Sequence, residues 1–478
     1  MHPFLILLIG VLAVVGSILA LRLHAFLALI LGALVVAAIT PRENVERYAT
    51  DAKLSEKAAK DLAQAPWGKR LGDAFGRSCA NIAIIIAMAA IVGQCMLESG
   101  GAERIVRASL NLTGEKGAPI ALAVTGFILG IPVFFDTVFY LMIPLAKALA
   151  ARTGKNYGLY VMSIAAGATI SHSLVPPTPG PLYVATELGV LGPMILAGCV
   201  IGGLSVVPGV AYAYFANRRW PVPLRETADV SIDDLKAMSA RDTASLPSLS
   251  ASLFVILFPV ALIVADVVLG LYQKDVPSWL LTTSRQLGDP NIALGLSAGV
   301  ALILRLRHAA PGSPKLAATL ETALAGAGQI ILITASGAAF GAMLQQTAVG
   351  GTIAALPMFK GASPGLAVLA GAFLVTSLIR IAQGSATVAM VTSIGMFGAL
   401  AKDGALGFHP VYLALAIGFG SKPVPWMNDS GFWLICKMSG QTPTETLRNH
   451  SAMFTIMGVS GLIFTMISAK LFPFTGTP

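Results

Sequence analysis

Apolar residues run through this chain in long blocks, at 4–21, 26–39, 82–92, 120–129, 195–207, 253–271, 292–306 and 454–471. Such blocks show neither the two-residue period of a half-buried strand nor the narrow stripe of a surface helix, so they predict helices that are apolar all round. Several reach the roughly 17–25 residues that span a bilayer, and the shorter ones are interrupted. Three polar stretches separate them. Residues 41–77 mix Lys, Arg, Asp and Glu and read as an amphipathic or solvated segment. Residues 217–248, with Arg218-Arg219-Trp220-Pro221 and Asp233-Asp234, read as a long linker, and 305–315 as a short basic loop.

The linker bisects the chain, and a shift of 248 residues aligns the halves. Gly93-Gln94-Cys95-Met96-Leu97-Glu98-Ser99 falls on Gly341-Ala342-Met343-Leu344-Gln345-Gln346-Thr347, and 132–143 falls on 380–391. Ser173, ahead of Pro176-Pro177, falls on Ser421, ahead of Pro423 and Pro425. The order of these matches predicts two structural repeats, 1–216 and 249–478, joined by 217–248; chance alignment of apolar sequence is the alternative. Transporters built from repeats of opposite membrane orientation hold substrate where the repeats meet. Each half also contains two interrupted segments: 131–140 and 171–181, then 378–390 and 418–433. Proline removes one helical hydrogen bond and sterically opens another, so the prolines at 176, 177, 179 and 181 and the pair at 423 and 425 break their helices. In lipid the freed backbone groups must face protein, water or ligand. The expected fold class is an all-α polytopic membrane protein of two inverted repeats with broken helices or re-entrant hairpins.

Composition agrees. With 55% hydrophobic and only 12% charged residues, the chain is too apolar for a string of soluble domains. The first block follows Met1-His2-Pro3 without a basic flank or a small-x-small cleavage site, so it reads as an uncleaved span. The net charge of +9 is expected to lie in basic loops facing anionic lipid rather than to bind nucleic acid. Cys79, Cys95, Cys199 and Cys436 have no metal-ligand spacing and read as buried thiols. Gly-x-Ser-x-Gly occurs at 295–299 and 361–365, but without the strand-turn-helix setting of a nucleophile elbow. With no Walker loop and no metal motif, neither an ATP-driven pump nor an intramembrane enzyme is expected, and no cofactor or metal. A secondary transporter driven by an ion gradient remains, with an anion channel as the competing class.

The candidate site residues lie in the interruptions. Arg380 is flanked by apolar residues, and a guanidinium cannot shed its charge, so at membrane depth it needs a wet, protein-lined or anion-filled site. The following Gln383-Gly384-Ser385-Ala386-Thr387 is a place for a helix to break, where Ser385, Thr387 and free N–H groups could meet an anion. Helix packing through small residues is the alternative there. Asp136 and Thr137 follow Phe134-Phe135. An apolar setting disfavours the ionised carboxylate, making Asp136 a candidate proton carrier, against a helix cap or a partner for Arg380. His172, with Ser173, is a candidate proton relay or a structural residue. Asn428-Asp429-Ser430 suits ion coordination or the cap of a half-helix at 432–437.

At these residues the chain resembles the gluconate–proton symporter family, which includes D-serine and sugar-acid permeases and belongs to the ion transporter superfamily. The resemblance rests on Thr125-Gly126-Phe127, Phe135-Asp136, Ile143-Pro144-Leu145, the 176–181 proline motif, 380–389 and Asn428-Asp429-Ser430-Gly431-Phe432-Trp433. It implies proton-coupled uptake of gluconate or a related small carboxylate through the bacterial inner membrane, with a sodium ion as the other possible coupling ion. It also implies a homodimer, inverted repeats and an elevator motion. Carried over by motif, Arg380 and the 384–387 turn would meet the substrate, with Asp136 and Asp429 as ion-site candidates. Thr178 stands where the family motif leads one to expect histidine, and Pro425-Trp426-Met427 where a Ser-His-Val-like triplet is expected. These departures count against histidine-based coupling and leave the choice of organic acid open.

Overall fold

The computed structural model describes residues 2–51, 54–131, 134–225, 246–271, 276–308, 314–349, 352, 364–404, 406–427 and 429–474, and every regular element among them is helical. In the first half these are α1 (Pro3–Leu19), α2 (Ala25–Ile39), α3 (Arg42–Asp51), α4 (Glu56–Gln64) and α5 (Trp67–Glu98). They continue with α6 (Gly101–Leu129), α7 (Phe135–Thr153), α8 (Tyr157–Leu174), α9 (Pro179–Glu187) and α10 (Leu191–Arg219). The second half holds α11 (Leu249–Leu271), α12 (Ser278–Leu287), α13 (Pro290–His308), α14 (Leu316–Gln345) and α15 (Pro364–Gln383). It closes with α16 (Ala386–Phe397), α17 (Val411–Gly420), α18 (Ser430–Ser439) and α19 (Pro443–Leu471). Among the described residues seven helical segments are long and apolar enough to cross a membrane, or eight if the bent pair Phe26–Ile39 and Arg42–Thr50 forms one span.

All eight apolar blocks fall within or largely within helices, and the breaks come where proline or glycine demands them. α8 ends at Leu174, ahead of Pro176-Pro177, and α9 starts at Pro179, where the missing N–H costs nothing. α15 ends at Gln383 and Gly384 takes φ 81°, a left-handed conformation that glycine adopts without Cβ strain. α17 stops at Gly420, before Pro423 and Pro425.

Three boundaries differ from the sequence reading. The charged 41–77 stretch is two short helices, α3 and α4, and its last eleven residues already belong to α5, whose Arg70 is buried. Arg305 lies in α13 rather than in a loop, and its guanidinium is buried against Glu98 at 2.6 Å. α14 is not among the apolar blocks, because Gly, Ala and Thr dilute its sequence. Those small residues suit it to close contact with other helices: a Cβ on Gly395 of α16 would lie 2.6 Å from Cα of Gly341.

The packing repeats across the two halves. α5 lies along α14, α8 along α17 and α10 along α19. α7 meets α18 while α9 meets α16, and α6 packs on α8 as α15 packs on α17. Both long C-terminal helices of the halves contain a π turn, at Gly198–Gly202 and Leu447–Ser451, starting 249 residues apart. At one end of the α5/α14 pair Glu98 accepts from Arg305 and from Thr319 Oγ1 (2.7 Å). At the other end Gln346, 248 residues after Glu98, accepts from Arg70 (2.8 Å).

Close approach of α6 and α8 requires glycine at 167. A Cβ there would stand 1.9 Å from the Ala123 carbonyl oxygen and 2.8 Å from the Phe127 nitrogen, both backbone atoms that cannot swing aside. Gly167→Ala is therefore expected to destabilise the protein by about 1–3 kcal/mol. Gly203→Ala, which meets open space, should be neutral by comparison. Apparent Tm of the two purified variants in one detergent checks the pair.

Candidate functional site

The four helix breaks meet at one cavity of about 450 Å³, within the roughly 300–1,000 Å³ range of small-molecule sites. Phe134, Phe135 and Asp136 bring the N-terminal end of α7 to it, Pro179 that of α9, Ser385 to Thr387 that of α16, and Ser430 to Phe432 that of α18. Thr169 and His172 of α8, Arg380 of α15, Ser421 and Lys422 after α17, and Gln329 of α14 complete the polar wall. A helix N-terminus carries roughly half a positive charge and unsatisfied N–H groups. Ser385 caps α16 by accepting from the Val388 N–H (3.3 Å), and Asp429 Oδ1 caps α18 by accepting from Gly431 (2.7 Å) and Phe432 (3.4 Å). The N-cap of α7, Phe134, makes no side-chain cap bond.

Arg380, only 7% exposed, uses its guanidinium in three directions. Nε donates to the Ser421 carbonyl (3.1 Å), Nη2 forms an ion pair with Asp429 Oδ2, and Nη1 has no partner among the described residues. The two Asp429 oxygens thus do separate work, one capping α18 and the other neutralising Arg380. α18 begins at Ser430, two residues earlier than the sequence reading placed it, because the Asp429 cap sets its start.

Asp136 lies at the first turn of α7, at the cavity. Phe135 and Phe139, four residues apart, stack on one helix face with ring centroids 5.6 Å apart and are buried, whereas Asp136 points elsewhere and is exposed toward the cavity. Phe134 and Phe135 still line the cavity beside it, so the apolar setting expected from the sequence is kept on that side, while Phe139, one turn on, is fully buried.

Among the other candidates, His172 lines the cavity and its Nδ1 has no partner among the described residues. Ser173 is buried outside the lining, its hydroxyl unpartnered. Gly384, Ser385, Thr387 and Ser430 line the cavity. Thr137 and Gln383 belong to the start of α7 and the end of α15, and their side chains lie outside the described residues. Asn428 lies outside the described residues.

Sequence reasoning missed Lys422. It is 4% exposed, and its ammonium donates to the Thr169 carbonyl (3.0 Å) and hydroxyl (3.2 Å), tying the turn after α17 to α8 of the other half. The signal was available: a lone lysine in the proline-broken stretch 418–433 poses the same burial question as Arg380.

Broken helices whose N-termini converge on a cavity holding a buried guanidinium are the architecture of a membrane transporter. The fold agrees with that class: the solved transporter YdaH of Alcanivorax borkumensis superposes on 89% of this chain and 91% of its own, with a TM-score of 0.58 at 16% identity. The model of the GntP family permeases matches residues 61–471, and the chain belongs to that family. It is 32% identical over 448 residues to a permease of Haemophilus influenzae, covering 92% of this chain and 86% of that one. It is 31% identical over 405 residues to a gluconate permease of Pseudomonas aeruginosa, covering 84% and 87%. The protein is thus a multi-pass bacterial membrane transporter and not an enzyme.

Proposed function

We propose that this permease takes up a small hydroxy-carboxylate, gluconate or a related sugar acid, together with a proton. The observation that carries the proposal is the cavity itself. It gathers four helix N-termini, an arginine with one unpartnered guanidinium nitrogen and the hydroxyl-bearing residues Ser385, Thr387 and Ser430. Positive potential and N–H donors suit a carboxylate, and side-chain hydroxyls suit a polyol chain. The naming of the Pseudomonas aeruginosa relative as a gluconate permease supports the same class.

The internal pairing of helices supports two inverted repeats, 1–216 and 249–478, that bring their broken helices to one site. In this reading those broken helices, with the substrate between them, move as an elevator against a scaffold built around α5 and α14, through which two copies pair as a homodimer.

Purified protein in liposomes should accumulate gluconate or another sugar acid against its gradient when an inward proton gradient is imposed. A panel including D-serine and unhydroxylated carboxylates ranks the substrates, and a protonophore should collapse the accumulation. Flux that never exceeds equilibration would replace the symporter with a channel.

A further inference from the structure

Two side-chain cations face the cavity, and they are not equivalent. The charge of Arg380 is already balanced by Asp429, with which it forms a buried ion pair. Lys422 has no carboxylate in ion-pair contact among the described residues; its partners, the Thr169 carbonyl and hydroxyl, are neutral. An ammonium has three N–H donors, and two are used on Thr169, which leaves one for a ligand. Asp136 lines the same cavity but forms no ion pair with Lys422, and His172 is the remaining titratable group of the wall. A buried charge without an ion-pair partner in contact is costly, and an anion entering the cavity supplies one.

We propose that Lys422, rather than Arg380, supplies the counter-charge for the carboxylate of the transported anion. This rests on the substrate class proposed above and assigns the roles within it. The carboxylate accepts from the third N–H of Lys422, and Nη1 of Arg380 donates a hydrogen bond to the carboxylate or to a neighbouring hydroxyl. Arg380 acts as a positioning residue for Lys422 as well, because its Nε holds the carbonyl of Ser421, the preceding residue. The bond to Thr169 keeps the ammonium at the wall instead of letting its flexible stem fold away.

The test compares gluconate with gluconamide, its uncharged amide, in binding to purified full-length protein. Wild type should prefer gluconate strongly. In Lys422→Gln, whose amide can still donate to Thr169, gluconate affinity should fall about 100-fold. Gluconamide affinity should stay within about threefold, since no charge is involved. Lys422→Arg should restore much of the preference. Thr169→Val, which removes the hydroxyl contact but leaves the carbonyl contact and the charge, should keep most of it. Wild-type discrimination that survives intact in Lys422→Gln overturns this inference alone. Equal collapse in Thr169→Val would make Lys422 a strut and overturn it as well. A wild type that binds gluconate no better than gluconamide would overturn the proposed function along with it.

Discussion

Arg380→Lys should insert and fold yet lose at least about 99% of uptake, a loss of the size expected when a buried charge-assisted contact is broken. The guanidinium spans three directions at once: to the Ser421 carbonyl, to Asp429 and toward the cavity. A lysine ammonium is a point charge on a flexible stem. It can keep the ion pair with Asp429, which preserves the cap of α18, but it cannot also hold Ser421 and present a donor to substrate. Arg380→Ala is the harsher change, because it leaves Asp429 buried without a counter-charge, a penalty of about 3–5 kcal/mol, and should lower expression or Tm. The separation of the two outcomes is the point: lysine removes transport and alanine removes stability too. Purified Arg380→Lys protein that binds substrate with wild-type affinity would refute the assignment.

Asp136→Asn should uncouple transport from the proton gradient while leaving substrate exchange. The charge count explains why. With Arg380 and Asp429 paired, Lys422 and Asp136 are the other base and acid of opposite charge type that line the cavity, and in the proposed cycle they balance each other before substrate binds. When a monocarboxylate enters and balances Lys422, the site stays neutral only if Asp136 takes up one proton. Asparagine is always neutral, so substrate can still bind and cross, but its passage no longer carries a proton. In liposomes, counterflow should persist at a substantial fraction of the wild-type rate while proton-driven accumulation falls at least about tenfold, the cost of removing a positioned proton acceptor. Wild-type rates in both assays would move the coupling proton to another group, with Asp429 first because it shares the cavity and His172 next.

Much of this architecture was legible from local chemistry. Proline and glycine at 176–181, 384 and 423–425 break helices wherever they stand, because a missing N–H or a left-handed backbone is a property of the residue itself. Membrane burial likewise follows from block hydrophobicity, which needs no partner to be read. α14 escaped that reading because its span is justified by contact with α5, α2 and α16, and contact favours Gly and Ala over the large apolar residues that make a visible block.

The chemistry of the site was legible only in part. Arg380 stood out because a guanidinium in lipid demands an explanation on its own. Its partner Asp429 lies 49 residues away, and the Lys422–Thr169 contact joins residues 253 apart, so neither pairing has a local signature. Asp136 was read from its sequence neighbours, of which Phe134 and Phe135 share its cavity and Phe139 is buried away from it. The sequence by itself determined where the chain breaks and which residue types are brought to membrane depth, since those follow from backbone sterics and transfer free energy residue by residue. Only the tertiary structure decided which charges pair, because an ion pair needs its groups within about 4 Å and that depends on which helix ends the packing brings together.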